Sequence, residues 1–164
     1  LRGEIELAAE QAGWGREMPA GHGLCIAAQY SSDSYAASVV EVAFAEYGIW
    51  SVTNAWMTVD CGHVVNLDRA RSQQEGAAVM GLGFARFGKL TARNGAIVQG
   101  NFNNAQVVRY GLHPQAEVHF VDSNLPPSGI GEPGIPPFAP AIANAIFAAT
   151  GKRIRELPIG NKIA

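Results

Sequence analysis

The chain has 164 residues with 48% hydrophobic and 16% charged side chains, enough for one domain with its own core and unlike a disordered or coiled-coil chain. Its net charge of −2 leaves no electrostatic footprint for nucleic acid. No apolar run reaches the roughly 20 residues of a membrane span, and the acidic start LRGEIELAAE has neither the basic nor the apolar region of a signal peptide.

Arg2 to Ala12 carries Ile5, Leu7, Ala8 and Ala9 in a short amphipathic helical pattern, ended by Gly13 and Gly15. No Ser, Thr or Asp caps its start, which leads us to expect further polypeptide before it. After a turn at Pro19–Gly23, Leu24 to Tyr30 reads as a strand. Tyr35 to Ala45 reads as a second, with Ala37, Val39, Glu41 and Ala43 on one face and Ser38, Val40, Val42 and Phe44 on the other. Glu46-Tyr47-Gly48 makes a turn. Ile49 to Val59, rich in β-branched and aromatic residues, is the third strand. Short turns between the three predict an antiparallel meander.

Asn66 or Asp68 caps a long helix expected from about Arg69 to Phe87, although Gly76, Gly81 and Gly83 lie inside it. Each glycine costs about 1 kcal/mol against alanine there, so something is expected to approach the helix closely. Asn94-Gly95 predicts a hairpin pairing Lys89 to Arg93 with Ala96 to Gln99. Gly100 to Pro114 is polar and irregular, and Ala116 to Val121 is a last strand. Asp122 to Gly134 is a turn-rich loop, and Pro137 to Thr150 is the final helix, stopped by Gly151. The expected fold is α+β, an antiparallel sheet with two main helices. The basic trio Lys152, Arg153 and Arg155 reads as helix-end charge.

The two cysteines, Cys25 and Cys61, lack CxxC spacing and read as small buried hydrophobes. An iron–sulfur cluster wants about four thiolates, so this chain cannot build one alone. The four histidines, His22, His63, His113 and His119, show no ligand spacing, and no side-chain metal site is expected. Ser31, Ser32 and Ser34 form a polar loop around Asp33 without a Gly-x-Ser-x-Gly elbow, which argues against a serine hydrolase. Neither GxGxxG after a strand nor GxxxxGK[ST] is present.

The segment Ser128 to Gly151, SGIGEPGIPPFAPAIANAIFAATG, is the organising stretch. It holds a carboxylate, Glu132, on a glycine- and proline-rich turn ahead of an apolar helix, where a base is kept from drifting. Continued through GKRIRELP, it resembles the C-terminal end of the molybdopterin-binding large subunit of molybdenum hydroxylases, the xanthine dehydrogenase and aldehyde oxidase family, in its isoquinoline 1-oxidoreductase branch. Residues 1–164 then form a single domain, the C-terminal molybdopterin-binding segment of such a subunit.

The resemblance implies that Glu132 is the base of a molybdenum-dependent hydroxylation of an aldehyde or N-heterocycle, with water as oxygen source. It implies that Gln73, in DRARSQQEGAAVMGLG, hydrogen-bonds the pterin, with Gln74 the alternative one position on. Gly129 and Gly131 would bring backbone N–H groups near the metal's oxygen ligands. The implied cofactor is molybdopterin, in its cytosine dinucleotide form, with molybdenum. The implied partners are the rest of the large subunit, an iron–sulfur subunit and a flavin or cytochrome subunit, in a cytoplasmic or periplasmic enzyme. The alternative is a non-catalytic interaction or regulatory domain derived from such an enzyme. The hydrophobic pair Ile49-Trp50, where relatives carry a charged hairpin, suggests a contact surface.

Overall fold

The computed structural model describes residues 1–163. Three strands form the expected meander, β1 (His22–Ser31), β2 (Ser34–Phe44) and β3 (Trp50–Asp60), paired antiparallel in order. Their sequences are rich in Val, Ala, Thr and aromatic residues, which suit a pleated surface covered on both sides. The fourth strand, here β6 (Gln115–Phe120), adds beside β3 but runs parallel to it, from Asn54↔Gln115 to Val59↔Phe120. The sheet order is β1-β2-β3-β6, so the sheet is mixed rather than wholly antiparallel. The reason is the connection. A strand returning after a long helix enters from the same end as its neighbour, whereas a tight turn forces reversal.

Three helices cover the sheet. α1 (Arg2–Gln11) lies on one face, where Ala8 and Ala12 pack on Ala37 and Val39. α2 (Leu67–Phe87) and α3 (Ile135–Thr150) lie on the other, over Val40, Val42, Ala55 and Met57. The two faces of β2 expected from its alternation are therefore both buried. Glu41 is the polar exception on the α1 side. It is tied to Arg16 Nη2 at 2.8 Å, His22 Nδ1 at 2.8 Å and Asn54 Nδ2 at 3.2 Å. Asn66 caps α2 by accepting from the Arg69 N–H at 3.0 Å. Gly151, in left-handed conformation at φ 74°, ends α3.

The Asn94-Gly95 turn forms with φ of 51° and 78°. It joins two-residue strands, β4 (Ala92–Arg93) and β5 (Ala96–Ile97), shorter than the sequence pattern predicts. Trp50 is no contact surface. It is 1% exposed, its indole N–H donates to the Gly160 carbonyl at 2.9 Å, and the Arg86 guanidinium stacks over its ring at 4.0 Å. The segment after α3 folds back to cover it, as Ile159 and Gly160 donate to the carbonyls of Ala85 and Arg86. Arg153 stacks on Phe147, one turn from the helix end. Both cysteines are free thiols, and burial pushes the Cys61 thiol upward, with the Asp60 charge adding to it.

Candidate active site at the loop before the last helix

The loop from Asp122 to Gly134 crosses the end of the sheet between β6 and α3. It is laced to the exit of β3, since the His63 N–H donates to the Leu125 carbonyl and the Ser128 N–H to the Cys61 carbonyl, both at 2.9 Å. Its C-terminal part, Gly129 to Gly134, is gripped from two sides. From the β1–β2 hairpin, the Ser32 carbonyl accepts from the Gly129 N–H at 3.0 Å, and Gln29 Nε2 donates to the Pro133 carbonyl at 2.8 Å. From α2, Gln74 Nε2 donates to the Ile130 carbonyl at 2.9 Å.

Glu132 stands between these anchors. Pro133 and Gly134 just after it are buried, while Glu132 itself is exposed. Its Oε1 accepts from the Ser32 hydroxyl at 2.8 Å. Its Oε2 has no hydrogen-bond partner among the described residues, so one carboxylate oxygen is held and the other left available. Its backbone carbonyl accepts from the Ile135 N–H at 2.9 Å and so starts α3. Pro136 and Pro137 then remove two of the N–H groups that a helix start would present.

The three glycines around Glu132 have different physical reasons. A Cβ on Gly129 would lie 2.6 Å from Ser32 Cβ, and one on Gly134 would lie 2.2 Å from Gln74 Oε1 and 2.7 Å from Met57 Cε. Both positions exclude a side chain because the chain's own atoms already fill the space. Gly131 does not. The nearest atom to a Cβ there is Gln73 Nε2 at 3.8 Å, an ordinary contact, and its φ is not in the left-handed region. Its N–H has no partner among the described residues. Nothing in this chain requires glycine at 131.

The expected site residues therefore divide. Gln73 comes against Gly131, the neighbour of Glu132, with Gln73 exposed on α2 and lining a cleft of about 250 Å³ with Asn66, Arg69 and Ile130. Gln74, the alternative, is fully buried, its Nε2 committed to the Ile130 carbonyl while its Oε1 has no partner among the described residues. Gly129 is corrected in its role. Its N–H, which the resemblance directs toward a metal's ligands, is committed to Ser32, and its lack of a side chain admits that serine. Ser32 was not singled out from the sequence, where a serine in a polar turn carries no distinguishing spacing. Among the described residues no group of three His, Cys, Asp or Glu side chains could hold a metal ion.

An exposed primary amide beside an unspent backbone N–H, next to a glycine that its own chain leaves open, is a donor–acceptor set suited to the edge of a heterocycle. The next residue along the chain, Glu132, carries a carboxylate with one oxygen held by Ser32.

Residues 4–114 match the family described as molybdopterin cofactor-binding domain, and the chain belongs to that family. The chain is 30% identical over 164 residues to the isoquinoline 1-oxidoreductase subunit beta of Brevundimonas diminuta, covering 98% of this chain and 21% of that protein. It is 38% identical over 112 residues to the membrane-bound aldehyde dehydrogenase [pyrroloquinoline-quinone] of Gluconacetobacter polyoxogenes, covering 68% of this chain and 14% of that protein. Its fold is similar to that of quinoline 2-oxidoreductase from Pseudomonas putida 86, with a TM-score of 0.71 at 17% identity, over 78% of this chain and 18% of that one. The chain thus spans about a fifth or less of the length of the curated relatives it matches.

Proposed function

We propose that this chain is the C-terminal segment of the large subunit of a molybdenum hydroxylase, and that it supplies the base, Glu132, to a site completed by other polypeptide. The observation that carries the proposal is the placing of Glu132. Its flanks are clamped by Gln29, Gln74 and the Ser32 carbonyl, one of its oxygens is held by the Ser32 hydroxyl, and the other has no hydrogen-bond partner among the described residues.

When bound, molybdopterin with molybdenum supplies an activated water-derived oxygen and takes up the two electrons of the oxidation. Gln73 holds the pterin edge through its amide, which donates and accepts at once. Gly131 lets that edge come near and offers it the free N–H. Glu132 takes the proton from the attacking oxygen at Oε2 while Oε1 stays on Ser32, and the substrate is an aldehyde or an N-heterocycle. The cofactor takes the cytosine dinucleotide form. With two cysteines this chain lacks the thiolates for an iron–sulfur cluster, so the electrons leave through clusters on a partner subunit and then to a flavin or cytochrome.

The exposed apolar surface supports the need for other polypeptide. Met80 and Phe84 on α2, each 53% exposed, line a cleft of about 490 Å³ with Val107 and Val108. Leu90, Ile97 and Phe102 are also exposed on the arm that follows α2. Apolar side chains left exposed in this way suit a face that other polypeptide covers.

Native purification with metal analysis and identification of co-purifying chains tests the proposal. Molybdenum together with larger partners, and loss of turnover in Glu132→Gln with the metal retained, is the expected result. A folded monomer with neither molybdenum nor partner overturns it and leaves an interaction domain built on an enzyme's fold.

A further inference from the structure

We propose that Ser32 is a positioning residue for Glu132, and that the tip of the β1–β2 hairpin is the platform on which the base is set. The inference rests on reading Glu132 as the base.

The hairpin tip touches the loop on both sides of Glu132. Before it, the Gly129 N–H donates to the Ser32 carbonyl at 3.0 Å, Ser34 Oγ donates to the Gly129 carbonyl, and Ser34 and Ser128 hydroxyls lie 2.8 Å apart. After it, Gln29 Nε2 bridges Ser31 Oγ and the Pro133 carbonyl, each at 2.8 Å. These contacts fix the backbone at 129 and 133 but leave the side-chain torsions of Glu132 free. The Ser32 hydroxyl, 2.8 Å from Oε1, is the group that acts on them. By occupying Oε1 it decides which oxygen is left to take a proton. A general base works only when that oxygen already points at the proton it abstracts.

The turn itself supports a special role. Ser32 and Asp33 have φ of 55° and 57°, two successive left-handed residues. Asn-Gly is the pair that adopts such a turn with least strain, yet neither position here is glycine. Left-handed non-glycine residues persist where the surroundings over-determine them, and they gather at functional sites. Glycine at 32 would ease the turn and keep the carbonyl that Gly129 needs, but it would lose the hydroxyl.

That difference supplies the test. In the assembled enzyme, with glutamate selectively isotope-labelled, couplings along the Glu132 side chain read its rotamer by nuclear magnetic resonance. Ser32→Gly is expected to turn one fixed rotamer into an average of several while the melting temperature stays equal or rises. Ser32→Asn, which tolerates left-handed backbone and carries an amide donor, restores the fixed rotamer. In the assembled enzyme, Ser32→Gly lowers kcat about tenfold with KM unchanged, and Ser32→Asn recovers most of the loss. Unchanged Glu132 couplings in Ser32→Gly overturn the proposal on their own. So does a freed rotamer that leaves kcat untouched. If Glu132→Gln turns over like the parent, the reading of Glu132 as base fails instead, and the couplings still report whether the hydroxyl holds the carboxylate.

Discussion

Phe138 fills the space that a side chain on Gly81 would need. A Cβ there would lie 2.6 Å from Phe138 Cβ and 3.0 Å from its Cγ, and Phe138 is fully buried between α2, α3 and the sheet. Gly76, five positions earlier on α2, meets nothing within 4 Å. Gly81→Ala is therefore expected to overpack the core and destabilise by about 1–3 kcal/mol. Gly76→Ala removes a helix-interior glycine without a clash and is expected to stabilise by about 0.5–1 kcal/mol. Urea unfolding of the two variants measures both, and a stable Gly81→Ala contradicts the packing described.

The glycines flanking Glu132 yield a sharper contrast. Gly134→Ala drives a methyl onto Gln74 and Met57, so it is expected to destabilise by about 1–3 kcal/mol. Gly131→Ala has room in the chain and is expected to leave its melting temperature within about 1 °C. In the assembled enzyme the same Gly131→Ala should lower molybdenum content, read by elemental analysis, because the methyl stands where the pterin edge would come. Full metal content in that variant would show that glycine at 131 serves no close approach.

Two adjacent glutamines are expected to behave oppositely. Gln74 is fully buried and donates to the Ile130 carbonyl. Gln74→Ala removes that bond, leaves Ile130 without its donor and opens a cavity, offset in part because it also removes the unpartnered buried Oε1, a net loss of about 1–3 kcal/mol. Gln73 is exposed and makes no hydrogen bond among the described residues, so Gln73→Ala is expected to stay within about 0.5 kcal/mol of the parent. Its effect should be on cofactor retention. Thermal melts separate the pair before any activity is measured.

Glu41 sets an acid limit on stability. Burial alone would raise its carboxyl, but hydrogen bonds from His22, Arg16 and Asn54 outweigh that and hold it below its ordinary value of 4.5. A carboxyl lowered in the folded state stabilises fully above its unfolded value, and the gain is lost as pH falls through the folded value. The melting temperature should therefore fall as pH drops below about 4.5. Glu41→Gln should flatten that part of the curve and be less stable than the parent at neutral pH. Parallel curves for the two proteins would remove Glu41 as the cause.

Much of this was legible from residue order, and the parts that were not have a common cause. Strand alternation and β-branched content disclosed β1, β2 and β3, since those features answer to local backbone preference. The pattern AEVHFV disclosed a strand at 116–121 but carried no sign of its direction, which is set by the path of the chain through α2. In the Ile49-Trp50 pair Ile49 is exposed, but Trp50 looked like contact surface only because its cover comes from residues 159 and 160, far along the chain. Gln73 and Gln74 could not be told apart by spacing alone. A helix turns about 100° between neighbours, and only the docking of α3 decides which one is buried. Ser32 was hidden for the same reason, its partner lying 100 positions away.

The parallel entry of β6 also bears on the order in which the molecule assembles. The first three strands can zip from near neighbours, as in the pairing of Tyr30 with Tyr35. β6 must wait for α2 and the arm after it, so that Asn54 meets Gln115 across 61 positions (115 − 54). Contacts closing loops of that size form slowly. The segment bearing Glu132 follows β6 and is moored to a hairpin near the start of the chain. A refolding chain should recover its helical signal before the carboxylate is in place, and protease should cut the 122–134 segment longest.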